Sequence, residues 1–359
     1  MILNTIQIFN FRNIESMKIA LHPEQNIIYG DNGAGKTSIL EAISCIFLGK
    51  SFRTSQTKNL VSSAHDRFTI SATIMQNERH PNPMRIGMEK QTDNTEQLKL
   101  NGDKTYRSKA ASLLPILTIT PQSHAILEAG PAERRQFINW GLFHVKQDFL
   151  SVWQENKKIL QHRNALLRSG QTSLLPYWDQ KFEEAATKLY QLHAQYVEEI
   201  NPALQKILEQ LAPNLSIELQ YHAGWPQHKT LAESLKDNIV RDLKYGYTSS
   251  GPHRADLIIK HQNNNAAAVL SRGQQKALVT ALRIAQGQLL KQATEKNALY
   301  LLDDLPSELD INYRENVLNF LCELKVQTII TTINPDDLAF NHSNKNQNLF
   351  HIQNGAIID

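Results

Sequence analysis

Apolar positions at the start of the chain come in short runs. Ile2, Ile6 and Ile8, then Met17, Ile19 and Leu21, then Ile27 and Ile28 are separated by Asn, Pro and Gly, a pattern that predicts strands. The period changes over 36–48, where Ile39, Leu40, Ile43, Ile46 and Phe47 fall at helical spacing. Strand patterns return at 68–74, 84–89 and 96–107, the last folded over by Asn101-Gly102, a dipeptide suited to hairpin turns. A further strand at 116–120 stops at Pro121. From about 132 to 211 the chain is rich in Gln, Glu, Lys, Leu and Ala at helical period, with breaks predicted near Gly170, Pro176, Pro202 and Pro213. A strand at 215–221 and a helix at 229–244 follow. Strands and helices then alternate over 256–260, 271–292, 298–303, 311–324 and 327–333, closing on a hairpin at Asn354-Gly355. The pattern predicts an α/β domain built from 1–121 and 246–359, interrupted by a mostly helical domain at 122–245.

Composition bounds the class. A chain of 359 residues, 41% hydrophobic and 20% charged, suits two folding units and excludes collagen-like or disordered chains. No apolar run approaches the ~20 residues that span a bilayer, and no charged segment leads into an apolar one at the start, so neither membrane insertion nor secretion is expected. The 2 cysteines, Cys45 and Cys322, lie in helical patterns without metal-ligand spacing, which fits a reducing cytoplasm. A net charge of +3 permits a nucleic-acid partner without demanding one.

The chemistry concentrates in Gly30-Asp31-Asn32-Gly33-Ala34-Gly35-Lys36-Thr37, which fits the phosphate-binding pattern G-x-x-x-x-G-K-[ST] between a predicted strand and a predicted helix. Small residues let backbone N–H groups wrap a phosphate at a helix N-terminus. Lys36 can reach the β- and γ-phosphates of ATP, and the Thr37 hydroxyl can ligate Mg²⁺. The bland alternative is a glycine-rich turn with a solvated lysine. A second acidic element is supplied by 298–304, an apolar strand ending in Asp303-Asp304. Asp303 is placed to hold Mg²⁺, and Asp304, on the opposite side of the strand, to polarise the attacking water.

Further segments narrow the class by resemblance. Ser271-Arg272-Gly273-Gln274 opens a long amphipathic helix. Ser there is an ordinary N-cap, yet the tetrad resembles the signature motif of the ABC ATPase superfamily. Ser307-Glu308-Leu309-Asp310 resembles that superfamily's D-loop, and Pro121-Gln122 lies where its Q-loop would, which gives Gln122 a role beside Mg²⁺ and the attacking water. With Asn10-Phe11-Arg12-Asn13, Ser51-Phe52-Arg53-Thr54, Gly130-Pro131, Arg134-Arg135 and 246–254 (Gly-Tyr-Thr-Ser-Ser-Gly-Pro-His-Arg), these motifs resemble the RecF family, relatives of SMC heads, over nearly the whole chain.

The resemblance implies an ABC-type P-loop ATPase head, α/β with a mixed sheet and a β-rich N-terminal part. It implies that Ser271, Gly273 and Gln274 of one copy close on the ATP held by another, so that dimerisation depends on ATP. It also implies slow ATP hydrolysis coupled to DNA at gaps or junctions, partners of the RecO/RecR type, recombinase loading in repair, replication restart and the SOS response, and a cytoplasmic location. Three departures bear on hydrolysis: Asp304 stands where transporters carry Glu, no switch His follows 327–333, and Ala255 stands where relatives often have Asp. Arg12 is read either as a phosphate contact or as a core-edge ion pair, and His253-Arg254 as a structural or nucleotide-proximal pair.

Lys50, Arg53 and Lys58 lie in an acid-free segment between Ala42 and His65 and are DNA candidates; a solvated polar loop is the competing reading. Lys157, Lys158, Arg163 and Arg168 form a second candidate, read more readily as a solvated helix face. An ATP-gated structural clamp with negligible hydrolysis and a small-molecule P-loop kinase are the alternative functions.

Overall fold

The computed structural model describes residues 1–76, 82–338 and 346–358. The chain forms two compact units, Met1–Ser123 with Leu290–Asp359 and His124–Leu289. In the first, β1 (Ile2–Phe11) and β2 (Ile14–Ala20) pair antiparallel. Buried positions along β1 change phase from Leu3 to Ile6 and Ile8 because its register with the neighbouring strand Arg67–Met75 slips between Leu3 and Thr5. One extra residue in the strand re-aims everything after it.

β3 (Gln25–Tyr29) feeds the glycine-rich loop and α1 (Lys36–Leu48) leaves it. β4 (Arg67–Met75), β5 (Met84–Gln91), β6 (Glu96–Leu100) and β7 (Asp103–Lys104) complete a first, antiparallel sheet in the order β2-β1-β4-β5-β6-β7. The hairpin at Asn101-Gly102 forms, with both residues at positive φ. The strand predicted to reach 107 ends at Lys104, however, and α2 (Arg107–Leu113) replaces its tail, burying Ala110 and Leu113 at helical spacing. β8 (Ile116–Ile119) follows.

The second unit contains α3 (Ala125–Glu128), α4 (Pro131–Val145), α5 (Phe149–Ser169) and α6 (Leu175–Leu211). The break near Gly170 and Pro176 occurs, between Ser169 and Leu175, with Pro176 in the first turn of α6, where its missing N–H costs nothing. The break near Pro202 does not, since Pro202 lies inside the helix. The buried stripe continues through Ile200, Ala203, Leu204, Ile207 and Leu208, so tertiary burial overrides the proline. After β9 (Ile217–His222), the helix predicted at 229–244 is two, α7 (Leu231–Asp237) and α8 (Ile239–Tyr245), divided at Asn238. β10 (Asp256–His261), β11 (Asn264–Asn265), α9 (Ala266–Val269) and α10 (Arg272–Thr294) follow.

The division between units falls within α10 at 289–290 rather than at the predicted 245–246. β10 pairs with β9 along its whole length, from Asp256 opposite His222 to His261 opposite Ile217, which ties 246–289 to the helical unit.

The chain then re-enters the first unit with β12 (Leu299–Leu302), α11 (Leu305–Glu308), α12 (Ile311–Glu323), β13 (Thr328–Thr332), β14 (Gln347–Gln353) and β15 (Ala356–Ile358). These build a second sheet in the order β15-β14-β3-β13-β12-β8, in which β14, β3, β13, β12 and β8 are parallel. Every residue of β12 and β13 is buried, the pattern of strands covered on both faces. Cys45 and Cys322 are both free thiols. Among the described residues no helix is long and apolar enough to cross a membrane.

A candidate nucleotide site at the carboxyl edge of the parallel sheet

In an open parallel sheet the polar residues following each strand gather at its carboxyl edge. Here β3 delivers the loop 30–37, β12 delivers Asp303 and Asp304, and β8 delivers Pro121 and Gln122. β13 lies between β3 and β12, so its last residues separate the phosphate loop from the acidic pair. A cavity of about 780 Å³ opens there, lined among others by Lys36, Thr37, Gln122, Asp303, Asp304 and Thr331. That volume falls within the ~300–1,000 Å³ common for ligand pockets.

The loop has glycine where the backbone demands it. Gly30 has φ 143°, and a Cβ there would lie 2.2 Å from the Ile352 carbonyl oxygen. No side chain fits between the loop and β14. Asn13 braces the loop from outside, its Nδ2 donating to the Gly33 carbonyl at 3.1 Å and its Oδ1 accepting from Ser38 Oγ at 3.0 Å. Ala34 and Gly35 are buried, whereas Asp31, Asn32 and Gly33 form an exposed rim. Lys36 Nζ donates to the carbonyls of Gly30 at 2.6 Å and Asp31 at 2.9 Å. Burial lowers its pKa, and the charges of Asp304, Asp303 and Asp31 oppose that shift.

Thr37 Oγ1 and Thr331 Oγ1 both donate to Asp303 Oδ1, each at 2.8 Å. Asp303 is only 6% exposed. Burial raises its pKa, an effect reinforced by Asp304 and resisted by the two threonine hydroxyls and by the charge of Arg53. A buried carboxylate with hydroxyl neighbours and no ion-pair partner among the described residues suits a hard divalent cation. Thr37 and Asp303 therefore fit Mg²⁺ by donor type. Asp304 adopts φ 52°, a left-handed conformation that Asp tolerates better than most residues. Its N–H donates to Thr331 Oγ1 at 2.8 Å, and its carboxylate accepts from Ser307 Oγ at 2.6 Å. Gln122 is exposed in the turn Pro121–His124.

Arg12 makes an ion pair at the edge of the core. It lines the cavity, and its guanidinium bonds Glu41 through Nε at 3.1 Å and Nη2 at 2.8 Å. Glu41 is fully buried and also accepts from Ser51 Oγ. Arg53 lies 3.8 Å from the same carboxylate and lines the same cavity. Lys50 and Lys58 are exposed and do not line it.

Three contributors were assigned no role from the sequence: Thr331, Glu41, the one acid among the apolar positions of α1, and Asn13, although it lies in the segment Asn10-Phe11-Arg12-Asn13.

The remaining candidates lie in the second unit. Ser271 and Gln274 cap α10 reciprocally, with Gln274 N donating to Ser271 Oγ at 3.3 Å and Ser271 N donating to Gln274 Oε1 at 2.9 Å. Ser271, Arg272, Gly273 and Gln274 are exposed, and a Cβ at Gly273 would meet nothing within 4 Å. Arg163 is not a surface cation. It belongs to the buried stripe Asn156, Ile159, Arg163 and Leu167 of α5 and pairs with Asp179 at 2.6 Å and Asp242 at 2.9 Å. The segment 246–254 wraps this charge. Arg163 Nη1 donates to Thr248 Oγ1 at 2.8 Å, Ser249 Oγ donates to Asp242 at 2.6 Å, and His253 Nε2 lies 2.8 Å from the Thr248 carbonyl. His253 is thus structural.

The family model for the RecF/RecN/SMC N-terminal domain matches residues 2–357. The DNA replication and repair protein RecF of Shewanella frigidimarina (strain NCIMB 400) is 39% identical over 359 residues, covering 99% of each chain. That of Shewanella sp. (strain W3-18-1) is 38% identical with the same coverage. A solved structure described as the recombination mediator protein RecF-ATPrS in the RecFOR pathway is 26% identical, with TM-score 0.84 over 99% of this chain and 97% of that one. An SMC head bound to the C-winged helix domain of ScpA, 16% identical with TM-score 0.60 over 99% and 96% of the two chains, shares the fold. The chain belongs to the RecF family and has the ABC-type ATPase head fold of RecF and SMC proteins.

Proposed function

We propose that this RecF-family chain is an ATP-gated DNA-binding ATPase that acts as a recombination mediator. The observation that carries the reading is the hydrogen-bonded set Thr37–Asp303–Thr331, which joins the phosphate loop, the acidic strand and the strand between them. Lys36 exchanges its two loop carbonyls for β- and γ-phosphate oxygens, and backbone N–H groups of 33–37 cradle the same anion. Arg12 and Arg53, tethered at Glu41, add positive charge along the cavity.

Thr37 and Asp303 would hold Mg²⁺, with Gln122 at the rim, and the ion would supply neutralisation of phosphate charge. Asp304 orients the attacking water, its backbone pinned by Thr331.

The exposed start of α10 suits the γ-phosphate of a second copy. Its cap is already satisfied within the chain, nothing crowds Gly273, and a helix N-terminus favours an anion. Two such sites about a two-fold axis make dimerisation depend on ATP. Lys50 and Lys58 then contact DNA phosphates, at gaps or junctions, and hydrolysis reopens the clamp. RecO/RecR-type partners, recombinase loading, a role in the SOS response and a cytoplasmic location follow the relative described within the RecFOR pathway. Family membership leaves the small-molecule kinase without support.

Sedimentation tests the reading. Wild type is expected to be monomeric without nucleotide and to dimerise with ATP, and Asp304→Asn to hold the ATP dimer longer. A chain that saturates with ATP and stays single, with Asp304 intact or replaced, overturns the proposal.

A further inference from the structure

The hairpin of β14 and β15 lies against the phosphate loop. β14 runs parallel to β3 as far as His351 opposite Tyr29, and the two rings stack 4.8 Å apart. It then continues to Gln353, past the end of β3, and brings the turn Asn354-Gly355 beside the loop. Gln353 pairs with Ala356, and Asn354 and Gly355 have φ of 50° and 77°. Both central residues of this two-residue turn are thus left-handed. The N–H of the second has no partner inside such a hairpin and must find one elsewhere. Gly355 N–H donates to the Ala34 carbonyl at 2.8 Å. The approach is close, since a Cβ at Gly355 would overlap the Asn13 carbonyl oxygen and one at Gly35 would lie 3.4 Å from Gly355 Cα. Two glycines are needed for the backbones to meet.

What this bond decides lies on the other side of the same peptide. A trans peptide points its C=O and N–H in opposite directions, so holding the Ala34 carbonyl on the hairpin side turns the Gly35 N–H away from it. Gly35 lines the nucleotide cavity and Ala34 does not. The Gly35 N–H donates to no acceptor among the described residues. The preceding peptide makes the contrast. Asn13 holds the Gly33 carbonyl at 3.1 Å, but the Ala34 N–H behind it already donates to the Asp31 carbonyl at 3.2 Å. Of the two outside braces, the one from Gly355 leaves a free donor on the cavity side.

We propose that Gly355 is a positioning residue of the nucleotide site: its N–H fixes the Ala34–Gly35 peptide so that the Gly35 N–H meets a phosphate of the bound nucleotide. The inference rests on the nucleotide-binding reading above and deepens it, giving the β14–β15 turn a share in phosphate affinity. Without the brace the peptide is free to rotate, and binding must order it first, which costs affinity. Asp303, Asp304 and Thr37 keep their hydrogen bonds in that case, because none of them involves the turn. The effect therefore falls on binding and not on the reacting centre.

Binding of ADP to the full chain, read from the rise it causes in the thermal unfolding midpoint, tests the proposal. Gly355→Ala, which drives the turn off the Asn13 carbonyl, is expected to bind ADP about 10-fold more weakly, the scale of one hydrogen bond to a charged group. Its turnover at saturating MgATP is expected to match wild type, with KM raised by the same factor. Asn354→Gly, which retains the left-handed turn, is expected to bind ADP as wild type does. Hydrogen exchange resolved to single residues needs no variant. In wild type the Gly355 N–H is expected to exchange slowly with and without ADP, and the Gly35 N–H slowly only with it. A Gly355→Ala chain that binds ADP as tightly as wild type overturns the proposal, and so does a Gly355 N–H that exchanges like a solvated amide in the ADP complex. Either result leaves the nucleotide site standing, whereas a wild type that binds no ADP removes both.

Discussion

Asp303→Asn is expected to lower ATP turnover by about 10²–10³-fold, the scale on which one charge-stabilising group acts at a reacting centre. Asparagine has nearly the same shape, and its side-chain oxygen still accepts from Thr37 and Thr331, which donate to Asp303 at 2.8 Å in the native chain. The fold is therefore retained and the change isolates charge. What disappears is the one buried carboxylate in the cavity able to balance a divalent cation. Steady-state turnover at saturating MgATP, with a magnesium titration beside it, reads both effects: a lower rate and a higher magnesium requirement. Turnover within twofold of wild type would remove Asp303 from the metal site.

The second large effect is structural. Asp242→Ala is expected to destabilise the second unit by about 3–5 kcal/mol, because Arg163 then keeps its charge in the interior with half its compensation gone. Both residues are fully buried, and Asp242 also accepts from Ser249, so the loss loosens 246–254 together with α5. Denaturant unfolding monitored by tryptophan fluorescence measures it, since all four tryptophans, Trp140, Trp153, Trp178 and Trp225, lie in this unit.

The same unit is acid-sensitive. Burial lowers the pKa of His193 and of His253 to about 4 from an ordinary 6.5. The folded state therefore disfavours their charged forms. Stability is fully present above about 6.5 and is lost as pH falls toward 4, where unfolding lets both rings take protons. Unfolding midpoints that are flat over that interval would contradict the buried, neutral placement of both.

What could be read from the sequence was local. The phosphate loop is contiguous, and α1 spans the predicted 36–48 because its start, period and terminal glycine lie next to one another. The acidic pair was legible because a buried parallel strand is a continuous apolar run with its chemistry at the end. What escaped depends on which strands become neighbours. Thr331 matters only because β13 lies between β3 and β12, and nothing in the residues around it announces that. Arg163 was read as surface because charge on a helix usually faces water, while its partners Asp179, Asp242 and Thr248 come from distant segments. Arg53 was assigned to DNA by composition, and only the fold brings it to Glu41 and the cavity. Pro202 illustrates the limit of local rules, since a long buried stripe outweighs one missing hydrogen bond.

The parallel sheet takes β3 and β8 from early in the chain and β12, β13 and β14 from its last part, with Gln25 paired to both Thr328 and Gln347. A ribosome adding ~5–20 residues per second exposes the phosphate loop on the order of tens of seconds before its acidic partner is made. The contiguous segment 124–289 emerges whole in the meantime. A nascent or truncated product thus displays a glycine-rich loop that lacks Asp303 and Thr331, and so lacks the means to grip a metal-bound nucleotide. Only a finished chain carries the complete cavity, so the order of the strands makes its last part the gatekeeper of the site.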